Sequence, residues 1–133
     1  SLLQLSDVRL GISGYQKSRN RFISFGGEHG KSILLGNDER MDCVDANSHF
    51  YDRFANQAEP MIVEDMGDCC TQLKNQASKL QDAGVNNMIL SPLFYNGEFV
   101  GLLELASPNK GDLNALTITR IKEVLPFDKV SRK

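Results

Sequence analysis

Two apolar runs of strand length, Met88 to Tyr95 and Glu98 to Ala106, are separated only by Asn96 and Gly97. Asn-Gly is the favoured pair for a two-residue type I′ turn, because both central residues take positive φ and match the twist of the flanking strands. The spacing therefore predicts a long antiparallel hairpin. Pro92 lies inside the first run and has no N–H for a ladder bond, so it is expected at a bulge or with its nitrogen turned away from the partner strand.

The rest of the chain is organised around that hairpin. Val8, Leu10 and Ile12 alternate with Arg9, Gly11 and Ser13, the period-two pattern of a half-buried strand. Phe22 to Phe25 continues it after the polar Gln16 to Asn20 turn, giving a first hairpin. Gly26 to Lys31 reads as a loop, and Ser32 to Leu35 as a short third strand. Asp45 is placed to cap a helix that carries Ala46, Phe50 and Phe54 on one face, and Pro60 ends it. Met61 to Val63 forms a short buried strand. A second helix is read from Asp68 as cap, with Cys70, Leu73, Ala77 and Leu80 as its stripe and Gly84 as its stop. After the long hairpin, Asp112 is read as the cap of a final helix with Leu113, Leu116, Ile121, Val124 and Leu125 as its apolar stripe.

Hairpins with helices between them, rather than alternating strands and helices, argue an α+β domain. The expected architecture is an antiparallel sheet of about five or six strands with helices packed on it. At 133 residues the chain fits one domain, spanning 1–133. A hydrophobic fraction of 41% and a charged fraction of 24% are ordinary globular values.

Composition also excludes classes of function. A net charge of -2 and a pI near 5.6 provide no basic field for a nucleic acid, and Lys17, Arg19 and Arg21 are too short a run to make one. No apolar run approaches the roughly 18 residues of a membrane span, and no leader pattern is present. Three cysteines, two of them adjacent at Cys69 and Cys70, do not make a disulfide framework. The expectation is a cytoplasmic domain without nucleic-acid or membrane contact. Two histidines, His29 and His49, fall short of the three or four convergent ligands of a metal site. There is no Ser, His and Asp arrangement, no phosphate-cradling loop and no defensible pair of carboxylates.

From Glu59 to Phe127 the sequence resembles a GAF domain. The residues that carry the resemblance are Pro60-Met61-Ile62-Val63-Glu64-Asp65, then Met88-Ile89-Leu90-Ser91-Pro92-Leu93, then Asn96 to Ser107 with its Val-Gly-Leu-Leu-Glu-Leu strand. The resemblance implies a nearly six-stranded antiparallel sheet with a pocket on one face. It also implies a regulatory role, since such domains serve histidine kinases, cyclases, phosphodiesterases and transcription regulators. Fold alone does not choose among these. The chain is accordingly read as a non-catalytic sensory domain of two-component or related signal transduction, a fragment of a longer signalling protein. It would bind a small molecule or partner and pass its state to an output domain in the same polypeptide. A module that only dimerises and a free methionine sulfoxide reductase are the alternatives.

Asn109-Lys110 matches the start of the cyclic-nucleotide signature, but Leu113 stands where its aromatic belongs and no acidic pair follows. A bilin-attaching cysteine is commonly followed by histidine, whereas Cys69-Cys70 is followed by Thr71, so Cys70 reads as a small buried hydrophobe. Cys43, Cys69 and Cys70 do not keep the spacing of the reductase branch, although Glu104 to Ser107 falls at its acidic and serine motif. The family pocket maps onto Phe50, Phe54, Asp65, Met66, Cys69 and Leu73 as ligand-binding residues, with no cofactor named. Leu2, Leu3 and Leu5 at one end and Ile121, Val124 and Leu125 at the other predict terminal segments that lie together and form a homodimer in the intact protein.

Overall fold

The computed structural model describes residues 8–24, 31–36, 40–42, 48–68 and 74–124. Its elements are β1 (Arg9–Gln16), β2 (Arg21–Ser24), β3 (Arg40–Asp42), α1 (Ser48–Asn56), β4 (Met61–Val63), α2 (Lys74–Asp82), β5 (Asn87–Tyr95), β6 (Glu98–Ser107) and α3 (Ala115–Val124). The strands form one six-stranded antiparallel sheet in the order β3-β2-β1-β6-β5-β4. This is the α+β arrangement expected from the sequence. Asp45, offered as the cap of α1, and Cys69 to Leu73, read as the first turns of α2, lie outside the described residues.

The two central strands follow from their turn. Asn96 and Gly97 take φ of 51° and 79°, the positive pair that a type I′ turn requires and that glycine adopts without steric cost. Pro92 is opposite Leu102 in regular register. The last β4 pair is Met61 with Leu90, so Pro92 sits where β5 has become an edge and a missing N–H is tolerated. The bulge falls nearer the tip. Leu93 pairs with Gly101 and Phe94 with Phe99, leaving Val100 as the extra residue of β6.

One face of the sheet carries the main core. Phe22, Met61, Val63, Met88, Leu90, Leu102 and Ala106 project from the strands and meet Phe54 of α1, Met66, Leu80 of α2, Val85, and Leu34 and Leu35 of the turn at residues 31–36. Each of these Val, Leu, Met and Phe side chains contributes about 1.5–3 kcal/mol on burial. α2 stops at Gly84, where Val85 N donates back to Leu80 O at 2.8 Å. On the opposite face Ile89 and Leu113 are buried outside this cluster. Asn87 joins the layers there: its side-chain amide donates to Val63 O at 2.7 Å and Leu113 O at 3.0 Å, and its oxygen accepts from Leu113 N.

Four expectations are corrected. In β1 it is Gly11 and Ser13, not Leu10 and Ile12, that pack on the core face, and Leu10 is 61% exposed. Ser32 to Leu35 forms a turn, and the third strand is Arg40–Asp42 instead. The cap of α3 is Asn114 rather than Asp112: Asn114 Oδ1 accepts from Leu116 N while Thr117 Oγ1 accepts from Asn114 N. Leu116 is 57% exposed and Thr117 takes a buried place. The side chains of Ile121, Val124 and Leu125, given to the same stripe, are outside the described ones.

Candidate functional site

The core face of the sheet has two chemically distinct halves. Toward the hairpin tip it is aromatic. Phe99 lies at ring-centroid distances of 5.6 Å from Tyr15, 5.9 Å from Phe22, 6.1 Å from Phe54 and 6.0 Å from Phe94. The Phe54 and Phe99 rings are stacked, 7° apart. Val100 makes this possible, because a strand alternates sides at every residue and only the extra residue returns Phe99 to the core face with Leu102. Phe22 and Phe54 are fully buried, whereas Tyr15, Phe94 and Phe99 are half-buried. The wall is backed by the core and partly open on its outer side.

Beneath β1 and β6 the same face is polar. Glu104 is fully buried, and its Oε1 accepts from Ile33 N at 2.6 Å and Leu34 N at 3.0 Å. Its Oε2 accepts from Ser32 Oγ at 2.8 Å. Ser32 Oγ in turn accepts from Leu35 N, and Ser32 N donates to Ser24 Oγ at 3.4 Å. Burial pushes the Glu104 carboxyl up from its ordinary value, against the opposing pull of the Leu34 amide, the Ser32 and Ser13 hydroxyls and the Ile33 amide. Ser13 lies diagonally across the ladder, on the strand that pairs Gly11 with Glu104. Its Oγ is buried and makes no hydrogen bond. Gly11 leaves room for all this: a Cβ there would stand 2.7 Å from Lys31 O and 2.9 Å from Glu104 Oε1.

The residues expected to line the pocket divide. Phe54 and Met66 join the same core cluster. Asp65 is at the surface, where its Oδ2 lies 3.5 Å from Lys110 Nζ and its Oδ1 accepts from Gly67 N. The side chain of Phe50 and all of Cys69 and Leu73 lie outside the described residues, as do Cys43, Cys70 and His29. Asn109 and Lys110 are held by their own chain: Asn109 N donates to Ser107 Oγ and its side-chain amide to Asp112 Oδ2. Among the described residues no group of three or more His, Cys, Asp or Glu could hold a metal, and no helix is long and apolar enough to cross a membrane. Sequence reasoning missed Phe99 and Phe94, hidden by the bulge, and the structural weight of Glu104. A single charge amid the apolar run from Phe99 to Ala106 was the available signal.

The GAF domain family model matches residues 16–121, most of the chain. Among curated proteins none matches it. Among solved structures it is similar to the phycocyanobilin-bound GAF domain of a cyanobacterial phytochrome, with 14% identity and a TM-score of 0.63 over 94% of this chain and 72% of that one. It is similar to free methionine-R-sulfoxide reductase from Neisseria meningitidis in complex with its substrate, with 14% identity and a TM-score of 0.56 over 95% and 69%. A domain of a protein described as a two-component sensor histidine kinase from Sinorhizobium meliloti 1021 aligns over 89% and 72%, with 12% identity and a TM-score of 0.55. Likeness at such identities concerns the fold.

Proposed function

Because this chain belongs to the GAF family, we propose that it is a non-catalytic sensory domain that binds a small, largely apolar molecule against the Phe99-centred wall. The observation that carries the ligand reading is the wall itself. Three of its five rings, Tyr15, Phe94 and Phe99, remain half-exposed over the sealed Phe22 and Phe54, and apolar and aromatic side chains are the usual lining of a small-molecule site. The bound state would be passed to an output domain in the same polypeptide, with the intact protein a homodimer.

The reductase reading competes for the same fold. It would draw on Glu104 as its acidic group, but three of that carboxyl's acceptor positions are taken by the protein's own Ser32, Ile33 and Leu34. A general base must reach the proton it removes. Glu104 supports a structural reading instead.

Thermal-shift measurements against cyclic nucleotides, tetrapyrroles and free methionine sulfoxide test the proposal. A ligand at one hundred times its dissociation constant adds about 2.7 kcal/mol of apparent stability. A binding ligand should lose its effect with Phe99→Ala while still acting on Asp65→Ala. Thiol-dependent turnover of free methionine sulfoxide by the wild type would overturn the non-catalytic reading.

A further inference from the structure

Among the described side chains of α1, Phe54 is the one in the aromatic cluster, fully buried and stacked on Phe99 at 6.1 Å with the two rings 7° apart. A nine-residue helix holds no fixed angle of its own, since isolated helices under roughly 12–15 residues are marginal in water. Its pitch must come from its attachments. Asp52 and Asn56 on the same helix are exposed, whereas Arg53 is turned back on its own chain. Its Nη1 donates to Gln57 O at 3.3 Å and Glu59 O at 2.9 Å, and its Nη2 donates to Pro60 O at 3.3 Å. Its Cζ lies over the Phe54 ring, 5.2 Å from the centroid. One guanidinium thus gathers three carbonyls of the segment that carries the chain from α1 to β4, and bears on the ring that α1 presents to the wall.

We propose that Arg53 is the positioning residue of the aromatic wall: its fork fixes the pitch of α1 against β4, and with it the stacking of Phe54 on Phe99. The residue type suits the task. Carbonyls at and just past a helix C-terminus lie at the negative end of its dipole and lack partners within the helix, so a cation there is favoured. A planar guanidinium offers donors in several fixed directions, whereas a lysine ammonium is a compact point charge on a flexible stem. The same plane makes a cation–π contact that holds Phe54 from the side of its own helix. Without the fork the three carbonyls turn to water, the segment at 57–60 loses its common anchor, and Phe54 is free to tilt away from the parallel arrangement. The consequence for the rings stands on this geometry alone, while the consequence for binding rests on the ligand reading of the wall. Phe54 backs Phe99, and a wall whose backing tilts offers Phe99 to a ligand at no single angle, so pre-organisation is lost.

NMR of the full, ligand-free chain tests it at the Phe99 ring, whose proton shifts carry the ring current of Phe54. Phe54→Leu gives those shifts without that current. Arg53→Met, which keeps the apolar stem and removes every donor, should move the Phe99 shifts about half-way or more from the wild-type values toward those of Phe54→Leu. Leu80→Ala opens the same core from α2 and destabilises the chain through a cavity, yet should leave the Phe99 shifts in place well below its melting temperature. Unmoved shifts in Arg53→Met, or an equal movement in Leu80→Ala, would overturn the assignment. Should Arg53→Met not fold, Arg53→Lys decides by the same criterion, since it keeps the charge and loses the planar fork. Titration with N-phenyl-1-naphthylamine, an uncharged aromatic dye, reads the effect on the wall. Its dissociation constant should weaken roughly three- to tenfold in Arg53→Met, the worth of one aromatic contact, and stay within about twofold of wild type in Leu80→Ala. An unchanged constant in Arg53→Met would overturn the binding consequence. Dye that binds wild type and Phe99→Ala alike overturns the ligand reading of the wall instead, and the ring shifts then decide the role of Arg53 alone.

Discussion

The β5–β6 hairpin and the strap at residues 31–36 both contribute to the same core, but they are fixed there by opposite means. The hairpin is local. Its turn joins neighbours in sequence, its ladder runs from Asn87 opposite Ser107 to Tyr95 opposite Glu98, and Met88, Leu90, Leu102 and Ala106 spread its burial over many small contributions. The strap adds Leu34 and Leu35 to that burial, but its polar attachment is concentrated on a single distant carboxylate, in the room that Gly11 leaves for it. Distributed apolar burial tolerates the loss of one member, whereas a buried polar node leaves several orphaned groups when its centre is removed.

That contrast can be broken most strongly at the node. Glu104→Leu leaves two backbone amides and the Ser32 hydroxyl without their acceptor, and should cost about 3 kcal/mol in urea unfolding. A loss under about 1 kcal/mol would mean that the strap contributes little to the fold. Gly11→Ala comes next, with about 2 kcal/mol expected, because the added methyl meets two backbone atoms of the strap, Lys31 O and Ile33 N, and the Glu104 carboxyl that the strap's own hydrogen bonds hold in place. Exchange protection should fall at Ile33 before it falls in β5. In the hairpin, Gly97→Val should cost a little over 1 kcal/mol through strain at φ of 79°, since nothing lies within 4 Å of the position to clash. A variant that melts like the wild type would remove the type I′ assignment. The smallest effect is expected for Glu104→Gln, within about 1 kcal/mol of wild type, with a thermal midpoint that no longer falls as pH rises above the ordinary glutamate range.

The same contrast explains what could be read before the structure. The hairpin, the order of elements and the helix stop at Gly84 were legible because turn chemistry and apolar period are properties of neighbouring residues. The facing of β1 was not. Leu10 and Ile12 look like the buried set by period alone, but the strap and Glu104 occupy the core side of that strand and leave room there only for Gly11 and Ser13. Likewise Ser32 to Leu35 has the composition of a strand, and its amides are instead committed to a carboxylate far along the chain. Phe54 belongs to the apolar face of its helix by period and is buried there, and Met66, given to the pocket, joins the same core, because sequence does not distinguish a pocket lining from a packed interior. Asp65 belongs to the same lining by family resemblance, and its position beside Lys110 depends on a loop that meets it only in three dimensions.

Val100 has one more implication, for the lengths this hairpin can take. Because a single unmatched residue decides which side Phe99 faces, the tip and the base of the hairpin are set by separate counts. Adding or deleting a pair of residues at the turn lengthens or shortens the arms and keeps every ring where it is. Removing Val100 would make the register even and leave Phe94 and Phe99 on the core face, whereas one residue added to β5 opposite Val100 would also make it even but carry both rings through the sheet, dismantling the aromatic wall without altering any residue that forms it. Chains of this architecture should therefore vary in hairpin length by twos, and a one-residue insertion in β5 opposite Val100 would exchange one surface of the sheet for the other at the tip.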